Sequence, residues 1–289
     1  MELALTSAVS LEQSYAFCRH IAKTRARNFY YSFVLLAPEQ KNAMCAMYAF
    51  MRYCDDISEG AGASLAAIEQ WRADLENALQ GQFSGHAVWP AVHDTVQRFR
   101  IPHEYLFDMI RGVSSDLQPR QVQTFDELYG YCYLVASVVG LTSIHIFGFD
   151  DPKALDLAEK CGIAFQLTNI LRDVKEDYGN HRVYLPAEDI SRFQADLTKY
   201  DRHFIDLMEF EAARAREYYA QSQPLIALVH RRSRGSLWAL IEIYRRLLER
   251  IIRSRYDVLG QRVRVPTWEK LGIVVKGRVT NPAPHKPAQ

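Results

Sequence analysis

The chain has 289 residues, 48% hydrophobic and 24% charged, the proportions of an ordinary globular protein with apolar material for a sizeable core. Lys and Arg number 35 against 34 Asp and Glu, so no global positive field marks a nucleic-acid binder. The five cysteines (Cys18, Cys45, Cys54, Cys132 and Cys161) form no CxxC pair and read as reduced core thiols, not as a disulfide or zinc framework.

At the start of the chain, "MELALTSAVSLEQSY" lacks the basic flank and long apolar run of a secretory signal. No uninterrupted apolar run reaches the roughly 18 residues that a membrane span needs. A soluble, cytoplasmic protein is expected, with peripheral contact at the inner membrane face left open. Helical spacing then dominates. Pro38 suits the first position of a helix running to about Ser58, Ser64 can cap a helix that Gly81 stops, and Pro102 opens "HEYLFDMIRGV". Thr124 and Glu127 form a capping-box pattern ahead of "LYGYCYLVASVVG". A long helix is expected between Pro152 and Gly179, and two more at 200–230 and 234–258. Only "GIVVKGRV", near the end, reads as a short strand candidate. With no fixed repeat and no Pro- or Gly-rich linker, these patterns predict one all-α domain over residues 1–279. The tail "TNPAPHKPAQ", residues 280–289, reads as disordered.

Two polar rows interrupt this apolar helical background. In "MRYCDDISEG", Arg52, Asp55 and Glu59 step by three and four residues. In "QLTNILRDVKEDYGNHRVYLP", Gln166, Asn169, Asp173 and Asp177 step by three, four and four, which keeps them on one helix face. Like charges at these spacings weaken a helix by a few tenths of a kcal/mol per pair, so carboxylates beside Ile57, Ile170 and Leu171 need a reason. One acidic pair alone is more often a solvated face. Two rows in one all-α chain, each holding an arginine (Arg52 and Arg172), point instead to a divalent cation and a diphosphate between facing helices. Oxygen donors without His or Cys suit Mg²⁺, with Mn²⁺ as a substitute, and argue against zinc. Most aromatic and aliphatic positions read as core, whereas Ala136, Gly140, Gly162 and Ala164 are small enough to leave room beside a tunnel.

With these residues in place, the sequence resembles the squalene/phytoene synthase family over residues 15–271. The family's first acidic motif appears as "DDISE" (55–59), and its second, NxxRDxxED, is intact from Asn169 to Asp177. The segments "YCYLVASVVG" (131–140), "RVYLP" (182–186) and the basic "YDVLGQRVRVP" (256–266) also match in order. The resemblance implies an isoprenoid-synthase-type helical bundle around a central cavity. It also implies Mg²⁺-dependent head-to-head condensation of two prenyl diphosphates through a cyclopropylcarbinyl diphosphate. The metal-binding candidates are Asp55, Glu59, Asn169, Asp173 and Asp177. The catalytic candidates are Arg52, Asp55, Tyr131, Arg172 and Asp173. Phe29, Tyr48, Arg52, Gln166, Arg172, Tyr184, Tyr244 and Arg262 would meet substrate, the arginines on diphosphate oxygens and the tyrosines by orienting diphosphates or shielding cations.

Two departures stand out. Glu59 occupies a position where the family more often has aspartate. The family's Ser-x-Ser-Phe segment reads here as Ala26-Arg27-Asn28-Phe29. The wording leans toward farnesyl diphosphate and a presqualene diphosphate, squalene or related C30 product. Phytoene synthesis from geranylgeranyl diphosphate is the alternative, ahead of a class I terpene cyclase or a non-catalytic assembly factor, which would show eroded acidic rows. NADPH use stays open, since members that use it lack a glycine-rich fingerprint too. Oligomeric state is not legible. Residues 261–286 carry six Lys and Arg against one Glu, an attraction to anionic lipid that salt would weaken.

Overall fold

The computed structural model describes residues 9–26, 29–59, 64–83, 85–117 and 120–280, and leaves the side chains of Phe29, Glu59 and Thr280 outside that description. Local signals set most helix starts. Ser10 and Gln13 close a reciprocal capping box at the head of α1 (Leu11–Arg25). The short α2 (Phe29–Phe33) leads to α3 (Pro38–Glu59), which begins at its proline. Ser64 caps α4 (Leu65–Leu79), and Gly81 turns the chain away with φ +80°. Helices α5 (Trp89–Phe99) and α6 (His103–Ser114) follow. Thr124 caps α7 (Phe125–Cys132), but Glu127 reaches past it to accept from the Gln123 N–H at 2.8 Å. One π turn, Tyr133–Ser137, carries α7 into α8 (Val138–Phe147). Then come α9 (Lys153–Gly179), α10 (Ala187–Phe193), α11 (Arg202–Ser222), α12 (Leu225–Leu228), α13 (Arg234–Arg253) and α14 (Thr267–Thr280).

Three expectations are corrected here. The helix expected at 200–230 breaks at Pro224, because proline cannot donate to the preceding turn. The next helix stops at Arg253, where Arg255 and Tyr256 turn left-handed, instead of running to 258. The strand candidate "GIVVKGRV" lies wholly within α14. Its β-branched residues favoured a strand, but tertiary packing overrides that propensity. Gly235 and Gly277 let α14 press onto α13: a Cβ on Gly235 would sit 2.5 Å from the Gly277 carbonyl oxygen. Residues 281–289 of the expected tail lie outside the described residues.

Helix α9 runs through the middle, packed against α11, α8, the π turn and α13. Gly162 permits this approach, since a Cβ there would lie 2.5 Å from Ser137 Cα. Phe33, Phe50, Trp89, Phe147 and Phe204 are among the largest fully buried side chains of the core. Each contributes about 1.5–3 kcal/mol by leaving water. Between α6 and α7 a two-residue strand β1 (Arg120–Gln121) pairs in parallel with β2 (Arg182–Val183), with Arg120 opposite Arg182. That clip draws the loop after α6 to the loop after α9. Half-buried Arg214 joins α10 to α11 by donating to buried Asp189 at 3.0 Å and to buried Glu211 at 2.8 Å. Burial pushes the Glu211 carboxyl up to about 7 despite that partner.

The segment Phe125–Phe147 is long and apolar enough to cross a membrane by length and composition. It is half buried, and Leu134, Val135, Ala136, Val139, Gly140 and Ser143 line an internal cavity. It is a core helix pair.

Candidate active site

A cavity of about 360 Å³ lies between α3, α8, α9 and α13. Tyr48, Arg52 and Asp55 reach it from α3, Gln166 and Asn169 from α9, and Tyr244 from α13. Helical spacing makes this possible: Tyr48, Arg52 and Asp55 step by four and three, as do Gln166 and Asn169 by three. Apart from Asp116, Tyr131 and Ser143, the remaining lining is mostly apolar and runs along α9 from Asn169 back to Ala158, roughly 16 Å at 1.5 Å per residue. Phe147, Ile144, Leu225 and Leu237 lie toward the far end. Among the small residues, Ala136, Gly140 and Gly162 line the cavity, whereas Ala164 is packed in the core.

The polar end is held by short contacts. Asn169 donates to Gln166 at 3.3 Å. Arg52 pairs with Asp56 at 2.7 Å, and Asp56 also takes Arg25. Arg52 Nε is buried with no partner among the described residues. Tyr244 stacks on Phe165 at 4.3 Å, so two aromatic faces flank the passage from polar to apolar lining. Burial raises the Tyr48 hydroxyl to about 12 and keeps it a neutral donor.

The second acidic row is only partly in this cavity. Asp173 is gripped by Arg172, whose Nε donates to it at 2.8 Å, and by Arg262 at 3.1 Å. Arg262 also meets Glu176 at 2.9 Å. Arg172 and Arg262 open onto a second, basic cavity of about 710 Å³ shared with Lys23, Arg264 and Lys270. The arginines expected on diphosphate oxygens therefore pair with carboxylates in this structure, since those are the nearest charges available. Among the described residues, no group of three or more His, Cys, Asp or Glu side chains is gathered closely enough to hold a metal ion. The side chains of Glu59 and Phe29, both expected in the site, lie outside the described residues.

The donor chemistry nevertheless fits a hard cation. Asp55, Asn169, Asp173 and Asp177 offer only oxygen. Burial, with Asp173 and Glu176 beside it, pushes the Asp177 carboxyl up to about 7. Burial is the larger cause; the smaller part, from the neighbouring carboxylates, is what a cation would relieve.

Asp116 was not foreseen. It follows α6 and accepts from Tyr131 at 3.0 Å and from Tyr184 at 2.9 Å. Those rings stack at 4.7 Å, Arg120 covers Tyr131 at 4.8 Å, and Arg182 donates to the Asp116 carbonyl at 2.8 Å. Asp116 and Tyr131 line the cavity, while Tyr184 supports them from behind. Burial, then Asp116, holds the Tyr131 hydroxyl well above the ordinary range. A lone acid in the polar stretch "SSDLQPR" carries no periodic signal.

Comparison with known proteins agrees with this geometry. The squalene/phytoene synthase family model matches residues 22–269. A phytoene synthase of Arthrospira platensis is 37% identical over 282 residues, covering 89% of this chain and 90% of the relative. A crystal structure of a dehydrosqualene synthase in complex with ligand superposes with a TM-score of 0.85 at 29% identity, covering 93% of this chain and 96% of that one. Squalene synthase HpnC from Alicyclobacillus acidocaldarius shares the fold, with a TM-score of 0.80 at 24% identity over 86% of this chain and 96% of that one. The cavity, the paired polar rows and these matches place the chain in the squalene/phytoene synthase family, prenyltransferases that condense two prenyl diphosphates head to head.

Proposed function

We propose that this chain joins two prenyl diphosphates at C1 through a cyclopropylcarbinyl diphosphate, using Mg²⁺ or Mn²⁺. One observation carries the proposal: a single cavity with oxygen donors and an arginine at one end and an apolar lining beyond. Asp55, Glu59, Asn169, Asp173 and Asp177 would hold the cation, which supplies positive charge beside the departing diphosphate. Arg52, Arg172 and Arg262 bind diphosphate oxygens by exchanging their present carboxylate partners for them. Gln166 lies beside the substrate, and Tyr48 orients the diphosphate.

Breaking the allylic C–O bond sends its electron pair to the diphosphate and leaves a carbocation. Tyr131, Tyr244 and Phe165 offer aromatic faces to that cation, and the apolar lining excludes water that would quench it. The double bond of the second substrate attacks, and loss of a proton closes the cyclopropane, with the released diphosphate as the base. The product is presqualene diphosphate or a non-reduced hydrocarbon, and NADPH has no part in forming it. The reaction is assigned to the cytoplasm, and contact with the inner membrane face is left open.

Two farnesyl chains are the main assignment. Two geranylgeranyl chains, giving phytoene, are equally supported by the phytoene synthases among the relatives. Incubation of the purified chain with each labelled diphosphate, with and without NADPH, separates these cases by product. A C30 product from farnesyl diphosphate alone supports the first and a C40 product from geranylgeranyl diphosphate alone the second. Diversion to squalene by NADPH overturns the cofactor assignment, and a cyclic product from one diphosphate overturns the condensation.

A further inference from the structure

Helix α14 leaves its outer face bare. Trp268, Leu271, Val275 and Val279 are 73%, 50%, 64% and 77% exposed. At 100° per residue they fall within an arc of about 80°, one apolar stripe along the helix. Lys276 flanks one edge of that arc and Arg278 the other. Buried Ile273 and Gly277 lie on the opposite side, against α13. Beside the stripe, the turn after α2 exposes Val34, and a groove there is lined by Arg231, Arg232 and Arg278.

We propose that this face docks on an anionic lipid surface. Apolar side chains flanked by cations fit a headgroup boundary: the stripe enters the acyl region while lysine and arginine reach up to phosphate. Trp268 has the amphipathic ring that settles at such a boundary. Lys276 rests over the Trp238 ring at 5.7 Å, on the flank of the stripe, and Arg278 joins Arg231 and Arg232 along the groove on the other, so the positive charge borders the apolar face as anionic lipid requires. The inference stands on this surface alone and not on the reaction proposed above. It differs from a purely electrostatic attraction because the stripe adds a component that salt does not screen.

Trp71, Trp89 and Trp238 are buried, so quencher-accessible fluorescence reports Trp268. The full chain is mixed with vesicles of phosphatidylglycerol in phosphatidylcholine, or of phosphatidylcholine alone. Sedimentation with the anionic vesicles, a blue shift and loss of acrylamide quenching are expected, weakened but not abolished by high salt. The Trp268→Ser/Val275→Ser variant should bind about tenfold or more weakly, from the two lost apolar contacts. Lys276→Glu/Arg278→Glu should lose the preference for anionic vesicles. Circular dichroism and turnover of dispersed substrate should be unchanged in both variants. Failure of the native chain to sediment, or native-like binding by the serine variant, overturns the proposal. So does a dimer that shields Trp268 from quencher before any vesicle is added, which would assign the face to a second copy.

Discussion

Replacing Asp116 with alanine removes the acceptor that Tyr131 and Tyr184 share. Both tyrosines are about 95% buried, at 5% and 6% exposure, so water cannot readily take its place. A buried hydroxyl left without a partner costs roughly 1–3 kcal/mol, and two would cost about 2–6. Part of that is offset because burial already raises the Asp116 carboxyl above its usual range, and alanine removes that buried charge. A net loss of about 2–4 kcal/mol remains, which lowers Tm by roughly 3–7 °C for a chain of this size. Asparagine keeps an acceptor and relieves the buried charge, so Asp116→Asn should stay within about 1 kcal/mol of native. Melting followed by circular dichroism tests stability, and turnover follows Tyr131, whose ring borders the cavity. The alanine variant should lower kcat more than KM, and asparagine should restore most of it. Equal melting temperatures for the native and alanine proteins, with equal kcat, would refute the bridging role.

Three further outcomes follow from the same geometry. Asp55→Asn, or EDTA added to the native chain, should lower turnover by about a hundredfold or more while leaving helicity intact, because the charge opposing the leaving group is lost; full activity in either case would contradict the assignment. Gly162→Val should cost at least about 1–3 kcal/mol, since even a Cβ would lie 2.5 Å from Ser137 Cα, and a native melting curve would show that α9 is not held there. Glu211 binds its proton more tightly folded than unfolded, at about 7 against 4.5, so its contribution is present below 4.5 and lost as pH rises through 7. Glu211→Gln should therefore raise stability at pH 8 more than at pH 5, with Arg214 still paired to Asp189, and the opposite ordering of Tm would contradict it.

Much of this site was legible because helical periodicity is local. Arg52, Asp55, Gln166 and Asn169 occur at steps of three, and those pairs do reach one cavity. Asp173 sits on the same nominal row, yet Arg172 and Arg262 hold it, and no spacing rule reports which guanidinium lies nearest. Asp116 contacts tyrosines 15 and 68 residues away, so its role exists only once the β1–β2 clip has formed. The end of the chain misled for a related reason. The valines of α14 favour a strand locally, and only the Gly235–Gly277 contact makes the helix the better packed choice. The bare face of that helix was hidden by the same misreading.

The grip of Arg172 and Arg262 on Asp173 leads to a prediction with a definite sign. As the protein stands, a diphosphate arriving without a cation must displace Asp173 to take Arg172, and must compete with both Asp173 and Glu176 for Arg262. A charge-assisted hydrogen bond is worth about 1.5–3 kcal/mol, so this competition weakens cation-free binding by roughly tenfold or more. Asp173→Asn keeps the shape of the side chain but removes the competing charge. Cation-free binding of inorganic pyrophosphate should therefore tighten by about tenfold in this variant. Binding in the presence of Mg²⁺ should move the other way, because a metal-binding oxygen has lost its charge. A residue that merely supported the fold would weaken both. Titration calorimetry of native and variant protein with pyrophosphate, with EDTA and then with Mg²⁺, reads the two signs directly. If Asp173→Asn weakens pyrophosphate binding in EDTA, the carboxylate is not what keeps Arg172 and Arg262 from the diphosphate. The exchange of partners proposed for the loaded site would then be wrong.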